Sequence, residues 1–188
     1  AGPSEGYHGL DLYEAFGKAA FIVKARAQLM RDLGAQAAPM NAFLLGVGIE
    51  TLPLRMERHS ANAQAVAEWL ANNPKVEWVR YPGLKGDKYH ALAQKYLPNG
   101  CSGVISFGVK GTRTDAMRLM DSLKLAKIVV HVADARTCVL HPASMTHRQL
   151  TDEQLVKAGI SPTMVRLSVG IEHIDDILAD LEQAFAHV

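Results

Sequence analysis

Residues 164–188, MVRLSVGIEHIDDILADLEQAFAHV, decide the fold class, because a strand pattern passes directly into a helix pattern. In the first part, alternating side chains predict a strand with two different faces. One face carries Val165, Leu167 and Val169, and the other carries Met164, Arg166 and Ser168. In the second part, apolar residues recur at helical spacing; they are Ile174, Ile177, Leu178, Leu181, Ala184, Phe185 and Val188. We therefore expect the last helix to cover one face of a sheet.

Short segments of both kinds come before this unit, from residue 76 onward. The predicted strands are 76–82, 103–111, 127–130 and 137–140, and the predicted helices are 87–98, 114–125 and 151–159. Thr151 and Gln154 have the spacing of a capping box, which marks the start of the third of these helices. The segments predict an α+β fold with helices on one face of a small sheet.

Two long helices are predicted to lead the chain. In the first, over residues 18–34, Ile22, Ala25, Leu29 and Leu33 recur at helical spacing before Gly34, which is suited to the position after a helix end. The second runs from Pro39 to Pro74, with a kink predicted at Pro53. Its apolar face consists of Met56, Ala63, Val66, Ala67 and Leu70. The chain is thus predicted to divide into residues 1–74 and an α+β domain of residues 75–188.

Composition excludes several functional classes. The chain has 188 residues, of which 48% are hydrophobic and 21% charged, so it can bury a core. Its net charge of +1, with no run of basic residues, predicts no nucleic-acid partner. No apolar run approaches the roughly 18 residues of a membrane span, which predicts no membrane partner. The two cysteines, Cys101 and Cys138, are far apart in the sequence and form no CxxC pair, so the sequence does not support a disulfide framework. This favours a reducing cytoplasm as the location.

Arg166 is the candidate binding residue that the pattern itself singles out. A guanidinium on a stiff strand suits recognition of a carboxylate, with which it makes two parallel hydrogen bonds. The alternative is an internal salt bridge to Glu172 or to an aspartate of the last helix. Because most strand arginines pair within the protein, spacing alone favours that structural role.

Three other groups carry weaker signals. His131, His141 and His147, with Cys138 between them, match no regular zinc spacing, so no metal site is predicted. The stretch HPASMTH at 141–147 favours a defined turn. The stretch LRMERH at 54–59 is predicted to be a solvated or salt-bridged helix face, with a subunit contact as the alternative.

Several long stretches together resemble one enzyme family. They are residues 7–35 (YHGLDLYEAFGKAAFIVKARAQLMRDLGA), 40–59 (MNAFLLGVGIETLPLRMERH), 79–84 (VRYPGL), 141–147 (HPASMTH) and 165–184 (VRLSVGIEHIDDILADLEQA). In this order they resemble the Cys/Met-metabolism family of enzymes that depend on pyridoxal 5'-phosphate (PLP). The resemblance covers almost the whole chain.

The resemblance implies a fold-type-I, aspartate aminotransferase-like enzyme of which this chain is the C-terminal part. Residues 1–74 would link to a large cofactor domain that the chain does not contain, and residues 75–188 would be the small domain. The family's cofactor lysine lies in a Ser/Thr-x-x-Lys segment followed by glycines. None of the ten lysines here has that context, and the nearest, Lys18 and Lys124, are ordinary helical residues. The resemblance therefore predicts no cofactor-binding residue in this chain.

Three residues acquire roles from the resemblance. Arg166 matches the family's arginine that grips the substrate α-carboxylate, which reverses the preference for a structural role. His131, in HVADART, takes the place of a Ser or Asn that relatives often have beside that carboxylate. Thr146 of the MTH turn would line the pocket near the cofactor lysine.

The chemistry that the resemblance implies is replacement at the γ-carbon, with PLP as the electron sink. It is most like the branch that exchanges the acetate of O-acetylhomoserine for sulfide or a thiol, in a dimer of dimers. Other family activities remain alternatives: methionine or cystathionine γ-lyase, cystathionine γ-synthase and the O-succinylhomoserine sulfhydrylase. A non-catalytic amino-acid-binding or docking domain is a further alternative.

Overall fold

The computed structural model describes residues 2–188 and divides the chain into two compact units. The first unit ends at Glu50, and the second is Thr51–Val188. The helix that follows Thr51 belongs to the second unit because its apolar face is buried in the same core as the sheet. The boundary between the two compact units thus lies about one helix earlier in the chain than residue 74. The division into a linking region of residues 1–74 and a domain of residues 75–188 stays a prediction.

The first unit consists of short helical segments and one longer helix. They are a 3-10 turn (Glu5–Tyr7), α1 (Leu12–Phe16), a 3-10 turn (Gly17–Ala19), α2 (Ala20–Lys24), a π-helical segment (Ala25–Met30), α3 (Arg31–Leu33) and α4 (Pro39–Glu50). The predicted continuous helix is thus wrong in part. Within the predicted range 18–34, a 3-10 turn ends at Ala19, and the π-helical segment Ala25–Met30 interrupts the α-helical hydrogen bonding. Gly34 ends the last segment in the left-handed region, as predicted.

No residue among 2–50 is buried. The predicted stripe is largely exposed within this unit, with Ile22 at 61%, Leu29 at 57% and Leu33 at 76%. No helix in residues 2–188 combines the length and the apolar composition needed to cross a membrane.

The second unit is a five-stranded mixed sheet with helices, which confirms the predicted α+β fold. The strands are β1 (Val76–Arg80), β2 (Val104–Val109), β3 (Lys127–Ile128), β4 (Cys138–Leu140) and β5 (Met164–Ser168). The helices are α5 (Leu52–Asn72), α6 (His90–Tyr96), α7 (Arg113–Asp121), α8 (Asp152–Lys157) and α9 (Ile174–Phe185). The strand order is β1-β2-β5-β4-β3, so β5 lies at the centre. Only the β3–β4 pair is parallel among the strands of residues 2–188.

Local signals explain where several of these elements begin. Thr151 and Gln154 form the predicted capping box at α8, and Thr112 and Asp115 form a second one at α7. Pro53 lies in the first turn of α5, where its missing N–H costs nothing. The predicted kink is therefore wrong: α4 ends at Glu50, and α5 is a separate helix.

The core lies between one face of the sheet and α5, α7 and α9. Val165 and Leu167 of β5 are fully buried, together with Ile105 and Phe107 of β2 and Val66 of α5. The predicted apolar face of α9 contributes Ile177, Leu181, Ala184 and Phe185. Because this face of β5 is filled, its other face is the one that can support a binding site.

Candidate substrate-carboxylate site

Arg166 lies on the face of β5 opposite the core, as the alternation predicts. Its register neighbours are Ser106 of β2 and Leu140 of β4. The side chain is partly buried, whereas Val165 and Leu167 on either side of it are 0% exposed. A central strand with hydrogen-bonded neighbours on both sides gives the guanidinium a rigid base.

The Arg166 guanidinium has no acidic partner within the described chain. Its Nη2 donates to the backbone oxygen of Val130 at 2.9 Å. No carboxylate of residues 2–188 forms an ion pair with it within 4.0 Å. The internal salt bridge that spacing favoured is therefore wrong. Glu172, its proposed partner, instead accepts hydrogen bonds from Thr137. The remaining guanidinium N–H groups are directed at no acceptor in residues 2–188 and can bind an anion.

Residues 130–137 form a segment that runs beside the outer face of β5, and we call it the 130–137 segment. Val130 contacts Arg166, and the backbone N–H of Ala133 donates to Ser168 Oγ at 3.1 Å. Ala133 has a φ of +59°, in the left-handed region that favours glycine. The segment therefore holds a strained backbone conformation next to the candidate site.

His131 lies in the 130–137 segment, next in the chain to the carbonyl that binds Arg166. It is exposed, and its Nδ1 lies 3.2 Å from Asp134 Oδ2. Asp134 also accepts hydrogen bonds from the Arg136 side chain and from its backbone N–H. The pKa of Asp134 is held below its ordinary value, first by the Arg136 hydrogen bonds and then by the one from His131. The structure thus places His131 in the same segment as Val130, whose carbonyl oxygen binds Arg166.

Thr146 is exposed in the turn that follows β4, and its Oγ1 lies 2.9 Å from His147 Nδ1. No hydrogen bond in residues 2–188 connects it to Arg166 or His131. The turn itself depends on His141, which is fully buried. His141 Nε2 lies 2.8 Å from the Pro162 carbonyl oxygen, and its Nδ1 lies 2.8 Å from Ser144 Oγ. Since a carbonyl only accepts, Nε2 carries the proton and the neutral ring accepts from Ser144.

His141 should make the stability of the protein fall in mild acid. Burial lowers its pKa from the ordinary value near 6.5, so the unfolded chain takes up a proton more readily than the folded one. The contribution of His141 to the free energy of unfolding is complete above about pH 7.5. It decreases as the pH falls through 6.5, where the ring becomes protonated in the unfolded chain, and the decrease is at most about 1.4 kcal/mol per pH unit.

Urea denaturation at several pH values between 8 and 5 measures this effect. We expect the His141→Asn variant to be less stable and to show a shallower loss of stability below pH 6.5. An identical pH dependence in both proteins would contradict the assignment to His141.

Sequence reasoning missed several polar residues that support this region. His59, predicted on a solvated helix face, is 1% exposed, and its Nδ1 lies 2.6 Å from the Val169 oxygen. Asn62 donates to the carbonyl oxygens of Gly170 and Glu172. The recurrence of His59 and Asn62 at the helical spacing of Val66 could have indicated burial. Nothing local predicted that Glu172 binds Thr137, since 35 residues separate them.

Comparison with known proteins identifies the family. The sequence pattern of Cys/Met metabolism PLP-dependent enzymes matches residues 15–186. The chain belongs to this family. It is 49% identical to the O-acetyl-L-homoserine sulfhydrylase of Leptospira meyeri and 50% identical to the homocysteine synthase of Schizosaccharomyces pombe. The matches cover 99% and 97% of this chain, but only 44% and 42% of those proteins.

A solved structure agrees with the family assignment. A Campylobacter jejuni protein described as an O-acetylhomoserine (thiol)-lyase superposes with a TM-score of 0.86 at 42% identity. The match covers 98% of this chain and 44% of the C. jejuni chain, which contains an N'-pyridoxyl-lysine-5'-monophosphate residue. The Cys/Met-metabolism family is PLP-dependent. This chain spans less than half the length of the relatives that it matches.

The lysines of this chain do not fit the attachment site of PLP. Nine of the ten are exposed, and Lys75, which is partly buried, donates to the Phe185 oxygen at 2.6 Å. None lies in a buried pocket where an amine could be held for the cofactor.

Proposed function

We propose that this chain forms the substrate-carboxylate site of a PLP-dependent O-acetylhomoserine sulfhydrylase. In this proposal Arg166 binds the α-carboxylate of the amino acid, and the cofactor lysine is contributed from outside these 188 residues. The observation that supports it is the guanidinium of Arg166 on the central strand, with no acidic partner in residues 2–188. The names of the relatives support the γ-replacement activity of the whole protein.

The role of Arg166 follows from its geometry. Two parallel N–H donors match the two oxygens of a carboxylate, so binding fixes the orientation of the substrate as well as its charge. The hydrogen bond from Nη2 to Val130 holds the guanidinium in place before substrate arrives. Fixing the orientation in advance lowers the entropic cost of reaching the reacting geometry.

His131 and Thr146 are proposed to line the same pocket. His131 follows Val130 in the chain, and its Nδ1 lies 3.2 Å from Asp134 Oδ2. In this proposal its ring lies at the rim of the pocket, near the bound carboxylate. Thr146 belongs to the turn that His141 holds against Pro162. We propose that Thr146 lines the pocket toward the cofactor lysine of the whole enzyme.

The whole protein is proposed to be a cytoplasmic homo-oligomer, a dimer of dimers. The exposed apolar residues of the first unit, among them Ile22, Leu29 and Leu33, support a subunit or domain contact. The proposed partners are the small molecules O-acetylhomoserine and sulfide or a thiol.

An activity assay tests the proposed function. The purified whole protein with PLP should convert O-acetylhomoserine and sulfide into homocysteine and acetate, and should act more slowly on O-succinylhomoserine. The isolated 188-residue chain should be inactive. After incubation of that chain with PLP and borohydride, mass spectrometry should show no stoichiometric label on one lysine.

Three results would contradict the proposal. Breakdown of the amino acid at the same rate without sulfide would indicate a γ-lyase. A preference for the succinyl ester would indicate one of the O-succinylhomoserine enzymes. A single, stoichiometrically labelled lysine in the isolated chain would place the cofactor attachment within these residues.

A further inference from the structure

The segment directly after β5 forms a hydrogen-bonded clamp with the 130–137 segment. Glu172 Oε1 accepts from the Thr137 backbone N–H at 2.6 Å, and Oε2 accepts from the Thr137 hydroxyl at 2.9 Å. The same hydroxyl accepts from the backbone N–H of Gly170 at 2.9 Å. The backbone N–H of Ile171 donates to the Ala135 oxygen at 2.9 Å. Four hydrogen bonds therefore join the two stretches over a few residues.

The clamp leaves no space for a side chain between its two sides. A Cβ built on Gly170 would lie 2.5 Å from both the Ala135 oxygen and the Thr137 nitrogen. These are backbone atoms, so they cannot move aside as a flexible side chain could. Thr137 is itself 1% exposed. The bonds to Glu172 are therefore shielded from water, which makes them costly to lose.

The other side of residues 169–172 is fixed to α5. His59 contacts the Val169 oxygen, and the Asn62 side chain donates to the carbonyl oxygens of Gly170 at 3.0 Å and Glu172 at 2.9 Å. The carbonyls of Val169, Gly170 and Glu172 thus bond to the helix, while the N–H groups of Gly170 and Ile171 bond to the 130–137 segment. The clamp connects this segment to the longest helix of the described chain.

The 130–137 segment needs such support because it binds Arg166 and contains a strained backbone conformation. Val130 at one end binds Arg166, and Ala133 in the middle has the left-handed φ of +59°. The backbone of a residue other than glycine is strained in that conformation, which persists only when surrounding contacts hold it. Asp134, with His131 and Arg136, closes the turn on itself but bonds to nothing outside it in residues 2–188. The far end is held by backbone bonds, from Ile171 to the Ala135 oxygen and from Lys127 to the Thr137 oxygen. It is also held by the two bonds that Thr137 donates to Glu172, which are its side-chain anchor.

We propose that Glu172 is a positioning residue: with Thr137 and Gly170 it fixes the 130–137 segment, and through the Val130 carbonyl it sets the orientation of Arg166. This inference rests on the proposed function of Arg166. Glu172 touches neither Arg166 nor, by this account, the substrate. Removing the Glu172 carboxylate should therefore weaken carboxylate binding in the wild type, where Arg166 can be displaced. It should have little effect in a protein that lacks Arg166.

A double-mutant cycle in the whole, PLP-loaded enzyme tests the coupling. Glu172→Ala should lower kcat/KM for O-acetylhomoserine by roughly 10- to 100-fold, mainly through KM, since small displacements of a positioning group have effects of that size. Thr137→Val, which keeps the shape but loses the hydroxyl, should have a smaller effect in the same direction. Glu182→Ala, an exposed carboxylate on α9, is the control and should change kcat/KM less than twofold.

The decisive comparison uses Arg166→Ala as the background. There, Glu172→Ala should lower kcat/KM less than threefold further, because the group that it positions is already gone. A purely structural role of Glu172 predicts equal factors in both backgrounds, and that result would overturn the proposal. So would a Glu172→Ala protein that is less stable but has unchanged kcat/KM per folded molecule.

Hydrogen exchange gives a readout that does not depend on the activity. In Glu172→Ala, amides of residues 131–137 should exchange at least tenfold faster, while those of β5 itself keep their wild-type rates. Equal acceleration in β5 would mean general destabilisation and would overturn the clamp. If the wild-type enzyme lacks activity on O-acetylhomoserine, the proposed function fails, and the exchange result still decides whether the clamp exists.

Discussion

Replacing Arg166 by alanine should lower kcat/KM for the amino-acid substrate by a factor between about 30 and several thousand. This range corresponds to about 2 to 5 kcal/mol, the usual cost of removing one partner of a buried, charged hydrogen-bonded pair. Arg166→Lys keeps the charge but loses the planar fork, so its kcat/KM should lie between those of the wild type and Arg166→Ala. Steady-state kinetics of the whole enzyme measures both.

The free energy of unfolding should change little in the same variants. Arg166 makes one hydrogen bond to a backbone oxygen and no ion pair with residues 2–188, so its loss removes no buried charge pair. An Arg166→Ala protein with normal kcat/KM and a clearly lower melting temperature would show that the residue is structural.

Leu167→Ala should have the opposite effect. Leu167 follows Arg166 directly but faces the core, where it is 0% exposed. Truncating a buried leucine removes its apolar contacts and leaves a cavity, so the free energy of unfolding should fall by about 2 to 5 kcal/mol. The kcat/KM per folded molecule should stay within about twofold of the wild-type value, since the outer face of β5 is unchanged.

Denaturation in urea measures the effect, and Val156→Ala is a matched control. Val156 lies on α8 with 63% of its surface exposed, so its truncation should change stability by less than about 0.5 kcal/mol. If Leu167→Ala were as mild as this control, the assignment of that face of β5 to the core would be wrong.

Prediction from sequence succeeded where the information is local. The two faces of β5, the apolar face of α9 and the capping box of Thr151 each depend on residues within a few positions of one another. These features determine the α+β arrangement and place Arg166 on the outer face. The family resemblance then gave Arg166 its proposed role, which spacing alone did not.

Prediction failed where the contacts are distant in sequence. The burial of His59 depends on Val169, 110 residues later, and the partner of Glu172 depends on the path of the 130–137 segment. A helix pattern also does not reveal a conformational change inside it, as in the π-helical segment Ala25–Met30. The apolar spacing of Ile22, Leu29 and Leu33 predicted helical structure there but carried no information on that interruption.

The role of Arg166 in binding the α-carboxylate can be measured as selectivity between ligands with and without a carboxylate. Norvaline and butylamine differ only by the carboxylate, and their inhibition constants can be measured on the wild-type enzyme and on Arg166→Ala. If Arg166 binds the α-carboxylate, the wild type should prefer norvaline by a large factor, and this preference should fall at least 30-fold in the variant. An equal preference in both proteins would contradict the assignment of Arg166 to the substrate-carboxylate site.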